Sequence, residues 1–260
     1  MEKLSLHPKP DLPHVISLLS HTDLEPSPYV DRLFGNLVAL AMAETLDSSE
    51  QDCATARKIA AIGECRMETH WAKRITQDSK ELSNFTYVEN YMDLAAHEYG
   101  ELIEHGAVGD RWAFVGSGPL PLSHIFFERL HGRGTFTYID SDNDALCHGA
   151  EVAQALNGDK LDRVFTCAQA KDIDYSDFDV VIVAALVGED NPTKVSLLKT
   201  IAKSASSHTI IAARSVPTAG RTLLYPQLQS VPNELDVLGV TCPPPDVINN
   251  LVIMRLADAC

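Results

Sequence analysis

The 260-residue chain is short of basic residues: 21 Lys and Arg stand against 36 Asp and Glu, a net charge of −15. No run of Lys or Arg offers a local footprint for phosphate, so nucleic acid and anionic membrane surfaces are not expected partners. No stretch approaches the roughly 18 consecutive apolar residues that span a bilayer. The first eight residues, Met1 to Pro8, lack the apolar region of about 7–15 residues that marks a secretory signal. The six cysteines (Cys53, Cys65, Cys147, Cys167, Cys242 and Cys260) include no CxxC pair, and no His/Cys spacing resembles a zinc site. These absences point to a cytoplasmic protein with reduced thiols and no resident metal. Internal repeats and low-complexity segments are missing as well. What is present is ordinary globular composition, 45% hydrophobic and 22% charged, in a chain long enough to bury a sizeable core.

The texture of the chain changes near residue 106. Residues 1–105 carry 9 basic and 18 acidic side chains and read as helices. Apolar residues at helical spacing predict a helix over Asp31–Met42, a second over Ala54–Ile75 and a third over Tyr91–His105. Pro26-Ser27-Pro28 and the polar stretch Ser79–Asn84 are expected as turns between them. Beyond residue 106, short apolar runs (Arg111–Val115, Thr135–Ile139, Arg163–Thr166, Val180–Ala185, Thr209–Ala213) alternate with helical patterns (Pro121–Leu130, Asn143–Leu156, Thr193–Ser204). That alternation predicts βαβ units and a parallel sheet. Two later runs, Glu234–Val240 and Leu251–Arg255, are expected to add antiparallel edges. The predicted class is α/β: a Rossmann-like, doubly wound domain over 106–260, preceded by a helical domain over 1–105 that covers the active site.

The sharpest local signal is Phe114-Val115-Gly116-Ser117-Gly118-Pro119-Leu120-Pro121, between a predicted strand and a predicted helix. Gly116 permits a tight turn, and Gly118 lets a ligand approach the backbone. Position 121 is Pro where a dinucleotide fingerprint carries its third Gly, which weakens the case for NAD. A plain tight βα turn is the bland alternative. The next strand ends in Tyr138-Ile139-Asp140-Ser141-Asp142-Asn143, where Asp140 is placed to accept hydrogen bonds from ribose hydroxyls. Asp142 reads equally as the N-cap of the following helix. A Gly loop, a ribose acid and no second nucleotide site together favour S-adenosylmethionine (SAM). From the residues alone the prediction stops at a SAM-dependent transferase of unknown group and acceptor.

Several segments, taken together, resemble the nicotianamine synthase family and its bacterial relatives that make opine-type metallophore precursors. Val115-Gly116-Ser117-Gly118-Pro119-Leu120-Pro121-Leu122 is similar to the family's Gly loop. Val180 to Gly188, with Ala184-Ala185-Leu186-Val187 at its centre, resembles its fourth strand and following loop. Arg214-Ser215, Arg221 and Leu224-Tyr225-Pro226 resemble a later segment, with one residue inserted. Near the N-terminus, Pro26-Ser27-Pro28, Val30 and Leu33-Phe34 do the same, as do Glu64, Glu68 and the block Phe85 to Tyr91. The resemblance implies transfer of the 3-amino-3-carboxypropyl group of SAM to an amine, releasing 5′-methylthioadenosine, within metallophore biosynthesis. Nicotianamine synthases join three SAM molecules in this way, whereas the bacterial relatives alkylate histidine once, giving staphylopine- or pseudopaline-type precursors. A SAM methyltransferase and a non-catalytic nucleoside-binding module are the competing classes.

Candidate residues follow from both lines. Glu64 and Glu68, four apart on one helix face, are candidates for binding and deprotonating the substrate ammonium, against a solvated acidic stripe. Tyr87 and Tyr91, also four apart, are candidates for hydrogen-bonding the substrate, against ordinary buried tyrosines. Gly116, Ser117, Gly118, Pro119, Leu120, Asp140, Ser141 and Asp142 are expected to bind SAM, with Ala168 and Gln169 after the third strand and Ala185, Leu186 and Val187 after the fourth. Arg214 and Arg221 are expected at a substrate carboxylate, against surface arginines, and Tyr225 is expected to bind substrate beside them. His70 is read as a structural or surface histidine. The expected partners are small molecules, SAM and an amino-acid acceptor, with a homodimer left open.

Overall fold

The computed structural model describes residues 11–43, 48–158 and 161–258; Met1 to Pro8 and Cys260 lie outside them. Helix α1 (Leu12–Ser20) was not expected from the apolar spacing; it starts where the Asp11 carboxylate accepts the His14 N–H at 2.9 Å. Ser27 caps α2 (Pro28–Ala41), with Pro28 in the first turn where its missing N–H is harmless. Helix α3 (Glu50–Gln77) has 28 residues, about 42 Å of helix. The polar stretch expected as a turn is a short 3₁₀ helix, Ser79–Asn84, leading into α4 (Val88–Glu104).

Strand β1 (Arg111–Val115), α5 (Leu122–His131), β2 (Thr135–Asp140), α6 (Asn143–Asn157), β3 (Asp162–Cys167), β4 (Val180–Val183), α7 (Asn191–Ser204) and β5 (Ile210–Ser215) follow in alternation. The predicted strand 180–185 stops at Val183, and Ala184 and Ala185 begin the loop after it. Strands β6 (Leu235–Val240) and β7 (Asn250–Leu256) close a seven-stranded sheet of order β3-β2-β1-β4-β5-β7-β6. Strands β1 to β5 run parallel, whereas β7 is antiparallel to β5 and β6 to β7.

The central strands are apolar on both faces because helices cover both. On one face Phe114, Tyr138, Ile182 and Ala212 pack with Ile125 and Phe127 of α5, and the same core takes in Ala72 and Ile75 of α3 and Ala95 and Leu102 of α4. Alternate residues, Val115, Val181, Val183 and Ile211, pack on the other face with Leu198 and Ile201 of α7. A third core joins α1, α2 and the first half of α3 to Leu223 and Leu224. Helix α3 thus has one apolar footing in each of two cores. Glu64 and Glu68 lie between them. Helix α4 and the second half of α3 thus share a core with the sheet, whereas α1 and α2 pack in the third core.

Candidate functional site

The strand order reverses direction between β1 and β4, the switch point where open α/β sheets bind ligands. A cavity of about 760 Å³ opens there. Its floor is the β1–α5 loop, in which Gly116 and Gly118 adopt φ of +80° and +69°. A Cβ on Gly116 would stand 2.1 Å from Val187 Cγ2, a collision, and one on Gly118 would make a tight 3.1 Å contact with Glu68 Oε2 on a backbone already strained for an L residue. Gly116 and Ser117 donate their N–H groups to the Ile139 carbonyl at 2.8 and 3.1 Å. Asp140 Oδ2 accepts the Gly118 N–H at 2.8 Å, and its Oδ1 accepts the Asp142 N–H at 3.0 Å. The acid expected at a ribose therefore also braces the loop. Asp142 caps α6 by accepting from Asp144 and Ala145, and it lines the cavity as well. Ser117, Pro119, Leu120, Ser141, Ala168, Gln169, Ala185, Leu186 and Val187 complete this half of the wall.

The opposite wall is α3. The Tyr225 hydroxyl donates to Glu64 Oε2 at 2.9 Å, and the Tyr91 hydroxyl, from α4, donates to Glu68 Oε1 at 2.9 Å. Two carboxyls one helical turn apart are thereby held by tyrosines from two other parts of the chain, and all four side chains line the cavity. Desolvation is the largest influence on each acid. It raises Glu64 above the ordinary 4.5, against the Tyr225 hydrogen bond and the Arg214 charge. Glu68 is raised well above 4.5 by desolvation and then by repulsion from Glu64. Desolvation also pushes Tyr91 and Tyr225 well above 10, so both stay protonated and act as donors.

Three expected residues differ in placement or partner. Helix α4 begins at Val88, so Tyr87 precedes it, off the stripe of Tyr91; it is 44% exposed, lies against the Phe85 ring and does not line the cavity. Arg221 is also outside the cavity: its Nη1 donates to the carbonyls of Val247 and Ile248, both at 2.9 Å, and so braces a segment of the wall. Arg214 does line the cavity, but its fork is already engaged. Nε and Nη2 bind both oxygens of Glu98, and Nη2 also donates to Ser123 Oγ at 2.9 Å.

A sequence profile of the family described as "Nicotianamine synthase protein" matches residues 10–260. The chain belongs to the nicotianamine synthase family. It is 31% identical to a nicotianamine synthase of Solanum lycopersicum over 250 residues, covering 90% of this chain and 78% of the relative. With nicotianamine synthase 3 of Arabidopsis thaliana it shares 29% identity over 265 residues, covering 96% and 78%. The structure of MtNAS in complex with MTA and tNA superposes with a TM-score of 0.80 at 22% identity, over 95% of this chain and 97% of that one. A magnesium protoporphyrin IX methyltransferase of Synechocystis PCC 6803 with bound SAH shares the fold of 74% of the chain at a TM-score of 0.52. As a nicotianamine synthase family member, the chain is a SAM-dependent aminocarboxypropyl transferase.

Other site residues of this nicotianamine synthase family member carry no signal in the sequence. Glu98 of α4 and Ser123 and His124 of α5 are buried beside Arg214 or on the cavity wall. The His124 ring stacks on Phe114 with centroids 4.1 Å apart, and burial, helped by the Arg214 charge, holds it well below 6.5 and neutral. Lys194 of α7 is fully buried; its Nζ donates to the carbonyls of Ala184, Ala185 and Arg214 at 3.2, 2.8 and 2.9 Å. Burial and then Arg214 lower its pKa to about 7. A periodicity reading assigns such polar residues to solvent, because their partners come from distant segments. Among the described residues no cluster of three or more His, Cys, Asp or Glu is placed to hold a metal ion, and no helix is long and apolar enough to cross a membrane.

Proposed function

We propose that this chain makes a nicotianamine-type product by repeated transfer of the 3-amino-3-carboxypropyl group, with Glu64 and Glu68 as the groups that bind and deprotonate the amine acceptor. The observation that carries the proposal is the pair of tyrosine-held carboxyls facing the Gly loop across one cavity. In the proposed step a carboxylate takes a proton from the acceptor ammonium and exposes its lone pair. The nitrogen attacks the arm carbon bonded to sulfur, the N–C bond forms, and the C–S electrons return to sulfur. The sulfonium leaves as neutral 5′-methylthioadenosine, and the alkylated nitrogen releases its extra proton. A carboxylate whose pKa is raised well above its ordinary value by desolvation is a fitting base for that exchange. The two acids also favour a cationic donor and an ammonium acceptor. Asp140 and the loops after β1, β3 and β4 are proposed to hold the nucleoside. A cavity of about 760 Å³ lies high in the range of small-molecule sites, roughly 300–1,000 Å³, and leaves room for an acceptor beside the donor.

Mass spectrometry after incubation with SAM, with and without histidine, tests this reading. The expected result is methylthioadenosine plus nicotianamine without added histidine. A product that forms only with histidine would replace repeated transfer by a single alkylation, and S-adenosylhomocysteine would mark a methyltransferase.

A further inference from the structure

Glu98 touches no part of the cavity, yet it occupies the same face of α4 as Tyr91, two turns further on. Its carboxylate is 1% exposed and meets Arg214 through three hydrogen bonds of 2.8 to 3.2 Å, a bidentate pairing inside the protein. Among the described residues Arg214 forms a salt bridge with no other carboxylate. Arg214 therefore reaches the cavity wall as half of a neutral pair. A lone guanidinium at the same place would be an uncompensated cation beside two acids.

We propose that Glu98 is a positioning residue for the transfer: it holds Arg214 against the cavity wall and offsets part of its charge, so that the Glu64–Glu68 pair retains a proton it can exchange with the acceptor. The inference rests on the proposed role of that pair as the base. The groups that face the pair are Tyr91 from α4, Tyr225 after β5, Asp140 at the end of β2 and Arg214 of β5, with Cys65 on α3 itself beside Glu68. Of these only Arg214 carries a positive charge. It favours ionisation of both Glu64 and Glu68 against the larger effect of desolvation, and in the proposal Glu98 tempers that pull. Lys194, the other buried cation nearby, meets Arg214 through the backbone carbonyl at 2.9 Å.

The test uses Glu98→Gln, which keeps the shape and one acceptor but removes the charge. Carboxyl protonation in the full-length protein is followed by infrared difference titration, a readout independent of activity. Methylthioadenosine release from SAM is followed over the same pH range. An unpaired Arg214 should move the Glu64–Glu68 titration, and the acid limb of kcat/KM, down by about one pH unit. The double variant Glu98→Gln/Arg214→Gln, which removes both charges, should bring both back to the wild-type position or above it. Unshifted titration in the folded single variant, or an equal shift in the double variant, would overturn the proposal. Should the single variant fail to fold, Arg214→Gln is compared with the double variant: a Glu64–Glu68 titration that lies higher while Glu98 keeps its charge supports the proposal, and identical positions contradict it. Absence of methylthioadenosine from the wild type would defeat the transfer reading and leave the titration result standing.

Discussion

At the scale of single residues the site rests on acids whose burial opposes folding. Glu68 has a folded pKa well above its ordinary 4.5, so the folded state holds its proton more tightly than the unfolded chain. Its favourable contribution is complete below pH 4.5 and is lost as pH rises through the folded value. Glu68→Gln should consequently raise the melting temperature at pH 8, and the gain should shrink toward zero as the pH is lowered to about 4.5. The amide still accepts the Tyr91 hydroxyl, so the fold is kept while the proposed base is removed. The same variant should lose roughly 10²- to 10⁴-fold in kcat, the usual scale of a general base. SAM affinity by calorimetry should fall far less. A variant that is both less stable at pH 8 and fully active would refute the assignment of Glu68.

Legibility at this scale divided along sequence distance. Glu64 and Glu68 are visible because two acids one turn apart fall in a helical stretch whose apolar residues recur at burial spacing, and the structure places both on the cavity wall. Tyr87 and Tyr91 share that spacing, but it counts only inside a helix, and α4 starts one residue after Tyr87. Glu98 and Arg214 are 116 residues apart, so neither spacing nor composition reveals that they pair. For the same reason Arg214 reads as a carboxylate anchor with its whole fork free, although its Nε and Nη2 already bind Glu98.

At the scale of elements, the β1–α5 loop is the part most fully written in the sequence. A glycine pattern immediately after a strand requires positive φ, and both Gly116 and Gly118 have it. Gly116→Ala would combine a strained backbone, costing about 1–3 kcal/mol, with a Cβ 2.1 Å from Val187 Cγ2. The collision pushes on the loop after β4, which is proposed to contact the nucleoside. SAM affinity should drop at least tenfold by calorimetry, with a melting temperature lowered by several degrees. Unchanged affinity would show that neither loop holds the donor. Strands β6 and β7 were legible as antiparallel edges from their position after the last βα unit. Helix α1 was not, because nine residues hold too few turns for a periodicity to emerge.

At the scale of the whole molecule, the sheet and the N-terminal helices depend on each other. Residues from α3 and α4 fill the same core as Trp112, Phe114 and Phe136. The sequence shows a change of texture near residue 106 but not that the two segments meet in one core, since that depends on which faces pack. Residues 106–260 produced alone would expose the Phe127 and Phe114 side of that core to water. Such a fragment should bind a hydrophobic dye and melt without cooperativity. A sharp transition would instead show that the α/β half folds by itself. The acidity of the whole chain acquires a direction from the same arrangement. Among the described residues most acids are exposed, whereas Glu64 and Glu68 line the cavity, where a sulfonium and an ammonium are proposed to meet.

The central claim is that the aminocarboxypropyl arm, not the methyl group, moves from sulfur to an amine nitrogen. It is tested most directly with SAM carrying one isotope in its methyl group and another in its carboxylate. The account predicts that the methyl label leaves in methylthioadenosine and the carboxylate label appears in the amine product. A methyl label in the product, with the carboxylate label retained in S-adenosylhomocysteine, would contradict it.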